Sequence, residues 1–118
     1  MFEKNLKLAQ KAAHEAGIVV MSYFKTSSYD IRDKSFDNPV TTADHEANQV
    51  IKDILFKDTI TYGWLSEETV DSKERLKKDY IWVIDPIDGT KEFIEGVPQF
   101  SISIALAYKG DPVIGVIY

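Results

Sequence analysis

The chain has 118 residues, a formal net charge of −5, 44% hydrophobic and 28% charged residues, and no cysteine. That length holds at most one domain with a moderate core. The absence of cysteine excludes disulfides and thiolate metal sites, and the negative charge argues against a nucleic-acid polymer or an anionic membrane as partner.

In chain order, residues 3–25 read as one amphipathic helix. Leu6, Ala9, Ala13, Ala16, Val20 and Phe24 recur at three- and four-residue spacing, with Lys4, Lys7, Lys11 and Glu15 elsewhere on the surface. The N-terminus is charged and amphipathic, no apolar run is long enough to span a bilayer, and the cytoplasm is the expected compartment. Residues 26–40 form a polar connection with room for a short strand or hairpin, and Lys34 lies in it. A second helix is expected from about Thr42 to Lys57, with Ala47, Val50, Ile51, Ile54 and Leu55 as its apolar stripe. Thr41 and Asp44 have the spacing of a helix-capping pair. His14 and His45 fall inside helical patterns without ligand spacing to one another, and read as ordinary helix residues.

A short strand over 61–65 ends at Ser66-Glu67-Glu68, and residues 69–79 read as a charged surface loop or frayed helix. An apolar strand over 80–84 leads into Asp85-Pro86-Ile87-Asp88-Gly89-Thr90, read as a loop. Strands follow near 100–108 and 112–118, with Gly110-Asp111-Pro112 as the hairpin turn between them.

Asp85-Pro86-Ile87-Asp88-Gly89-Thr90 carries the most chemistry. Two aspartates at the end of an apolar strand are oxygen donors suited to a hard cation such as Mg²⁺. Gly89 allows a close backbone turn, and Thr90 adds a hydroxyl. Proline followed by Asp-Gly is also a common turn. A turn does not require two acids, nor does it explain Glu67-Glu68 and Asp44, which also lie at the boundaries of apolar elements.

Taken as an ordered set, Pro39-Val40-Thr41-x-x-Asp44, Ser66-Glu67-Glu68, Trp82-Val83-Ile84 and Asp85-Pro86-Ile87-Asp88-Gly89-Thr90 resemble the inositol monophosphatase superfamily. Lys91-Glu92-Phe93 and Phe100-Ser101-Ile102-Ser103-Ile104-Ala105-Leu106 are most similar to its bacterial 3′(2′),5′-bisphosphate nucleotidases of the CysQ type. The resemblance implies an α/β (α+β) layered helix/sheet sandwich of the inositol monophosphatase and sugar phosphatase type. Members are much longer chains, so residues 1–118 are expected to be the N-terminal, metal-binding part of a phosphatase domain whose C-terminal half is absent.

The implied activity is Mg²⁺-dependent hydrolysis of adenosine 3′,5′-bisphosphate to AMP and phosphate. The alternatives are an inositol-1-phosphate phosphatase or, for this chain alone, a non-catalytic metal-binding fragment. The implied cofactor is Mg²⁺, two or three ions in the full-length family, with inhibition by Li⁺. The implied partner is a small phosphorylated substrate, and a homodimer is compatible with the family.

The resemblance also assigns roles. Glu67, Asp85 and the Ile87 carbonyl would hold a first Mg²⁺ serving the attacking water. Asp85 and Asp88 would share a second that stabilises the leaving oxygen. Asp44 and Thr90 would orient or deprotonate the water, and the Gly89 and Thr90 amides would receive phosphate oxygens. Glu68, placed behind the metal ligands, Lys34 and Lys91 are further candidates.

Overall fold

The computed structural model describes residues 2–24, 31–35, 38–68 and 73–118; of 31–35 and 38–40 it describes the backbone alone. Helix α1 spans Glu3–Tyr23 and α2 spans Thr42–Asp58. Between them β1 (Ile31–Ser35) and β2 (Asn38–Thr41) form an antiparallel pair with Ile31 opposite Thr41. Strand β3 (Gly63–Ser66), a short 3₁₀ turn at Lys73–Lys77, β4 (Tyr80–Asp88), helix α3 (Thr90–Glu95), β5 (Ser101–Tyr108) and β6 (Asp111–Ile117) follow.

The four later strands form one sheet in the order β3-β4-β5-β6, with β3 parallel to β4 and the other pairs antiparallel. Helices α1 and α2 pack against each other; α2 also contacts β4, while α1 contacts β5 and β6. Ala9, Ala12, Ala13 and Ala16 on α1, with Ala43 and Ala47 on α2, are fully buried. Such small side chains let two helices lie close while Ile51, Leu55 and Val20 fill the space toward the sheet. From the sheet, Trp82, Ile84, Ile102, Ile104, Leu106 and Ile114 alternate inward to meet them. Trp82 Nε1 donates to Thr59 Oγ1 at 3.0 Å, so the indole is buried without an orphaned donor.

The α2 N-terminus bears out the capping pair. Thr41 Oγ1 accepts from the Asp44 amide at 3.3 Å, and Asp44 Oδ2 accepts from the Thr41 amide at 2.8 Å. His14 and His45 are exposed helix residues, and His14 Nδ1 lies 3.0 Å from the Tyr118 hydroxyl.

Helix α1 ends at Tyr23 where the sequence predicts 3–25, residue 25 lying outside the described residues, and β3 covers Gly63–Ser66 rather than 61–65; two further boundaries differ in kind. The hairpin turn sits at Lys109-Gly110, both at positive φ (50° and 88°), so that Tyr108 pairs with Asp111 and Pro112 lies within β6. A two-residue left-handed turn matches strand twist, and an edge strand tolerates a proline without an amide donor. The second difference is that β4 does not stop at Ile84 but runs through Asp88. Among the described residues, no helix is long and apolar enough to cross a membrane.

Candidate metal centre

The extension of β4 positions the acids. Asp85 pairs with Ser103, and Asp88 with Ser101, so three steps on β4 oppose two on β5 and the register shifts between them. Pro86 cannot donate to the ladder, and one extra residue bulges there. Alternation alone would send residues three apart to opposite faces. Here Pro86 and Ile87 are both buried, while Asp85 is half-buried and Asp88 exposed. The bulge therefore returns Asp88 to the side of Asp85, away from the core.

Parallel pairing with β3 adds a third carboxylate. Ser66 is opposite Ile84, and the Glu67 amide donates to the Ile84 carbonyl at 3.3 Å. Glu67 thus continues the ladder beside Asp85 and, by alternation, shares its face.

Gly89 ends the strand and caps α3 with φ 97°, ψ 41°, a left-handed conformation in which glycine is favoured. A Cβ there would stand 2.7 Å from the Gln99 carbonyl oxygen. The next residue, Thr90, is drawn back toward α2: its Oγ1 lies 3.0 Å from Asp44 Oδ1 and 3.2 Å from the Ile87 carbonyl oxygen. Its single hydroxyl proton serves one of these acceptors at a time. Asp44 is fully buried, and its other oxygen also accepts from Thr41 Oγ1 at 2.6 Å.

The electrostatic consequence falls on Asp85. Burial, and then the negative charges of Asp88, Glu67, Glu68 and Asp44, push its carboxyl from an ordinary 3.8 up to about 6. These four acids all lie within electrostatic reach of Asp85. Among the described residues, no group of three or more acidic or histidine side chains stands close enough to hold one ion. The raised Asp85 carboxyl reflects burial first and then the field of the four acids around it.

The remaining candidates fall as follows. Ile87 is buried, with its carbonyl turned toward the Thr90 hydroxyl. Glu68 is half-buried, and its amide donates to Ser66 Oγ at 3.3 Å. Lys91 is exposed on α3. Lys34 lies on β1, and its side chain is outside the described residues. Sequence reasoning singled out neither Asn48 nor Ser66 as a functional residue, yet these two buried side chains are hydrogen-bonded directly beneath Glu67 and Glu68. The available signals were the four-residue spacing from Asp44 to Asn48 and the position of Ser66 just before the paired glutamates.

The chain is 42% identical over 105 residues to the bifunctional phosphatase IMPL2 of Arabidopsis thaliana, covering 89% of this chain and 30% of that protein. It is 37% identical over 113 residues to the 3′(2′),5′-bisphosphate nucleotidase CysQ of Escherichia coli K12, covering 95% of this chain and 46% of that one. The solved structure of the extragenic suppressor protein suhB from Bartonella henselae superposes with a TM-score of 0.91 at 31% identity, over 98% of this chain and 45% of that one. The chain thus spans less than half the length of these relatives. The family match itself extends over residues 2–118, nearly the whole sequence, and the chain belongs to the inositol monophosphatase family.

Proposed function

We propose that this chain carries the metal-binding carboxylates of a Mg²⁺-dependent phosphomonoesterase that hydrolyses adenosine 3′,5′-bisphosphate to AMP and phosphate. The observation that carries the reading is Asp85, whose carboxyl is raised to about 6 by burial and by four neighbouring acids. Such a cluster is costly alone, and a divalent cation relieves it. Its all-oxygen donor set suits Mg²⁺, on which the family in general depends, with inhibition by lithium.

Glu67, Asp85 and the Ile87 carbonyl would hold one ion, and Asp85 with Asp88 a second. Bound there, the cations would draw charge from the phosphoryl and leaving oxygens. The chain's own groups would do the rest. With its proton directed to Asp44, the Thr90 hydroxyl presents lone pairs that accept a hydrogen from water and aim the water's oxygen at phosphorus. Asp44, held by the Thr41 amide and hydroxyl, fixes that orientation. The Gly89 and Thr90 amides would receive phosphate oxygens at the start of α3. Attack by water would form the new P–O bond and release a proton through Thr90 toward Asp44, the ester P–O bond would break, and the leaving oxygen would take a proton from solvent water.

Lys91-Glu92-Phe93 supports adenosine 3′,5′-bisphosphate over inositol 1-phosphate. The proposed setting is the cytoplasm, with a small phosphorylated substrate and a fold compatible with a homodimer. The test is phosphate release from both esters by a full-length protein containing this chain; a kcat/KM favouring the inositol ester overturns the substrate assignment.

A second reading rests on length. Because the chain matches under half of its relatives, residues 1–118 alone are proposed to bind a cation without turnover. Phosphate release by the purified chain that is lost in Asp85→Asn would contradict this.

A further inference from the structure

Helix α2 buries two polar side chains one turn apart, Asp44 and Asn48. That spacing places both on one helix face. Asp44 reaches Thr90, just past the end of β4. Asn48 reaches the other acid-bearing strand: Ser66 Oγ donates to Asn48 Oδ1 at 2.5 Å, and both residues are buried. Ser66 Oγ also accepts from the Glu68 amide at 3.3 Å. One helix therefore braces both segments that present carboxylates.

We propose that the Asn48–Ser66 hydrogen bond is a positioning clamp for Glu67 and Glu68, and so sets the cation affinity of the acidic cluster; this rests on reading the cluster as a Mg²⁺ site. β3 is only four residues long and, among the described residues, lies at an edge of its sheet, paired to β4 alone. The charge of Asp85 repels those of Glu67 and Glu68, which favours displacement of this short edge strand. A buried hydroxyl-to-amide bond resists that displacement, because a hydrogen bond is stronger away from water than at the surface. Asn48 and Ser66 lie on the core side of the strand end, so they act through the glutamates rather than by touching the cation. Partners that orient metal ligands in this way commonly govern affinity.

The test is Mn²⁺ binding to the purified chain, followed by electron paramagnetic resonance, together with urea unfolding of the metal-free protein. Asn48→Ala and Ser66→Ala are each expected to bind Mn²⁺ about tenfold more weakly. The double variant is expected to be no weaker than either single one, and Ser66→Thr, which keeps the hydroxyl, to bind nearly as the unsubstituted chain does. Ser66→Ala carries the test should Asn48→Ala fail to fold. A merely structural bond would lower metal-free stability and leave the affinity of the folded variants unchanged, and that result overturns the clamp alone. Absence of Mn²⁺ binding by the unsubstituted chain overturns the site reading and the clamp with it.

Discussion

Thr90 Oγ1 lies 3.0 Å from Asp44 Oδ1, a bond that closes 46 residues of chain and ties the start of α3 to the first turn of α2. The same carboxylate caps α2 through Thr41. A helix-capping acid and a candidate catalytic acid are thus one residue, and the two interpretations do not compete.

Replacing Asp44 should therefore cost more than a simple cap. Asp44→Ala removes the acceptor for the Thr41 amide, the Thr41 hydroxyl and the Thr90 hydroxyl at a fully buried position. The expected loss is about 3 kcal/mol in urea unfolding, from the lost cap together with buried donors left unsatisfied. Asp44→Asn keeps one oxygen for Thr41 and should lose less. A loss no larger than that of an exposed acid would show that the network carries little stability.

Asp85 predicts a pH dependence. Its folded pKa of about 6 lies above the ordinary 3.8, so the folded chain holds this proton more tightly than the unfolded one. The stabilisation is complete below 3.8 and is lost as pH rises through about 6. Without divalent cations, the urea midpoint should fall between pH 4 and pH 7. Asp85→Asn should lessen the fall and be the more stable of the two at pH 7. Parallel pH profiles for the two proteins would contradict the assignment.

Cations should reverse that penalty. Mg²⁺ at about a hundred times its Kd would raise stability by about 2.7 kcal/mol, a gain that EDTA removes. Asp85→Asn, which takes charge from the centre of the cluster, should show little of this shift. Thermal unfolding with and without Mg²⁺ measures it, and an equal Tm gain in both proteins would place the cation elsewhere.

Two glycines with similar φ should respond differently to alanine. At Gly110 (φ 88°) a Cβ meets nothing within 4 Å, so Gly110→Ala should cost about 1 kcal/mol, from backbone strain alone. At Gly89 (φ 97°) the Cβ would also stand 2.7 Å from the Gln99 carbonyl oxygen and 3.2 Å from Phe100 Cα. Gly89→Ala should therefore cost about 3 kcal/mol and displace the β4–α3 corner. Chemical denaturation of both variants compares them directly, and equal losses would argue against the steric account.

Much of this protein follows from local chemistry. Apolar spacing along residues 3–23 specifies α1, Thr41 and Asp44 specify the start of α2, and a run of large apolar residues specifies the beginning of β4, because each depends on neighbours a few positions away. The acids Asp44, Glu67, Asp85 and Asp88 could be named from sequence because each lies at the boundary of an apolar element. Their juxtaposition could not. It depends on the parallel register that sets Glu67 beside Asp85, on the bulge at Pro86 that turns Asp88 to the same face, and on the reach of Thr90 to Asp44 and of Ser66 to Asn48. Those relationships join residues distant in sequence, and they exist only once helices and sheet have packed. Pairing register and buried hydrogen bonds are settled by the competition for burial across the whole molecule, which no local stretch of sequence contains.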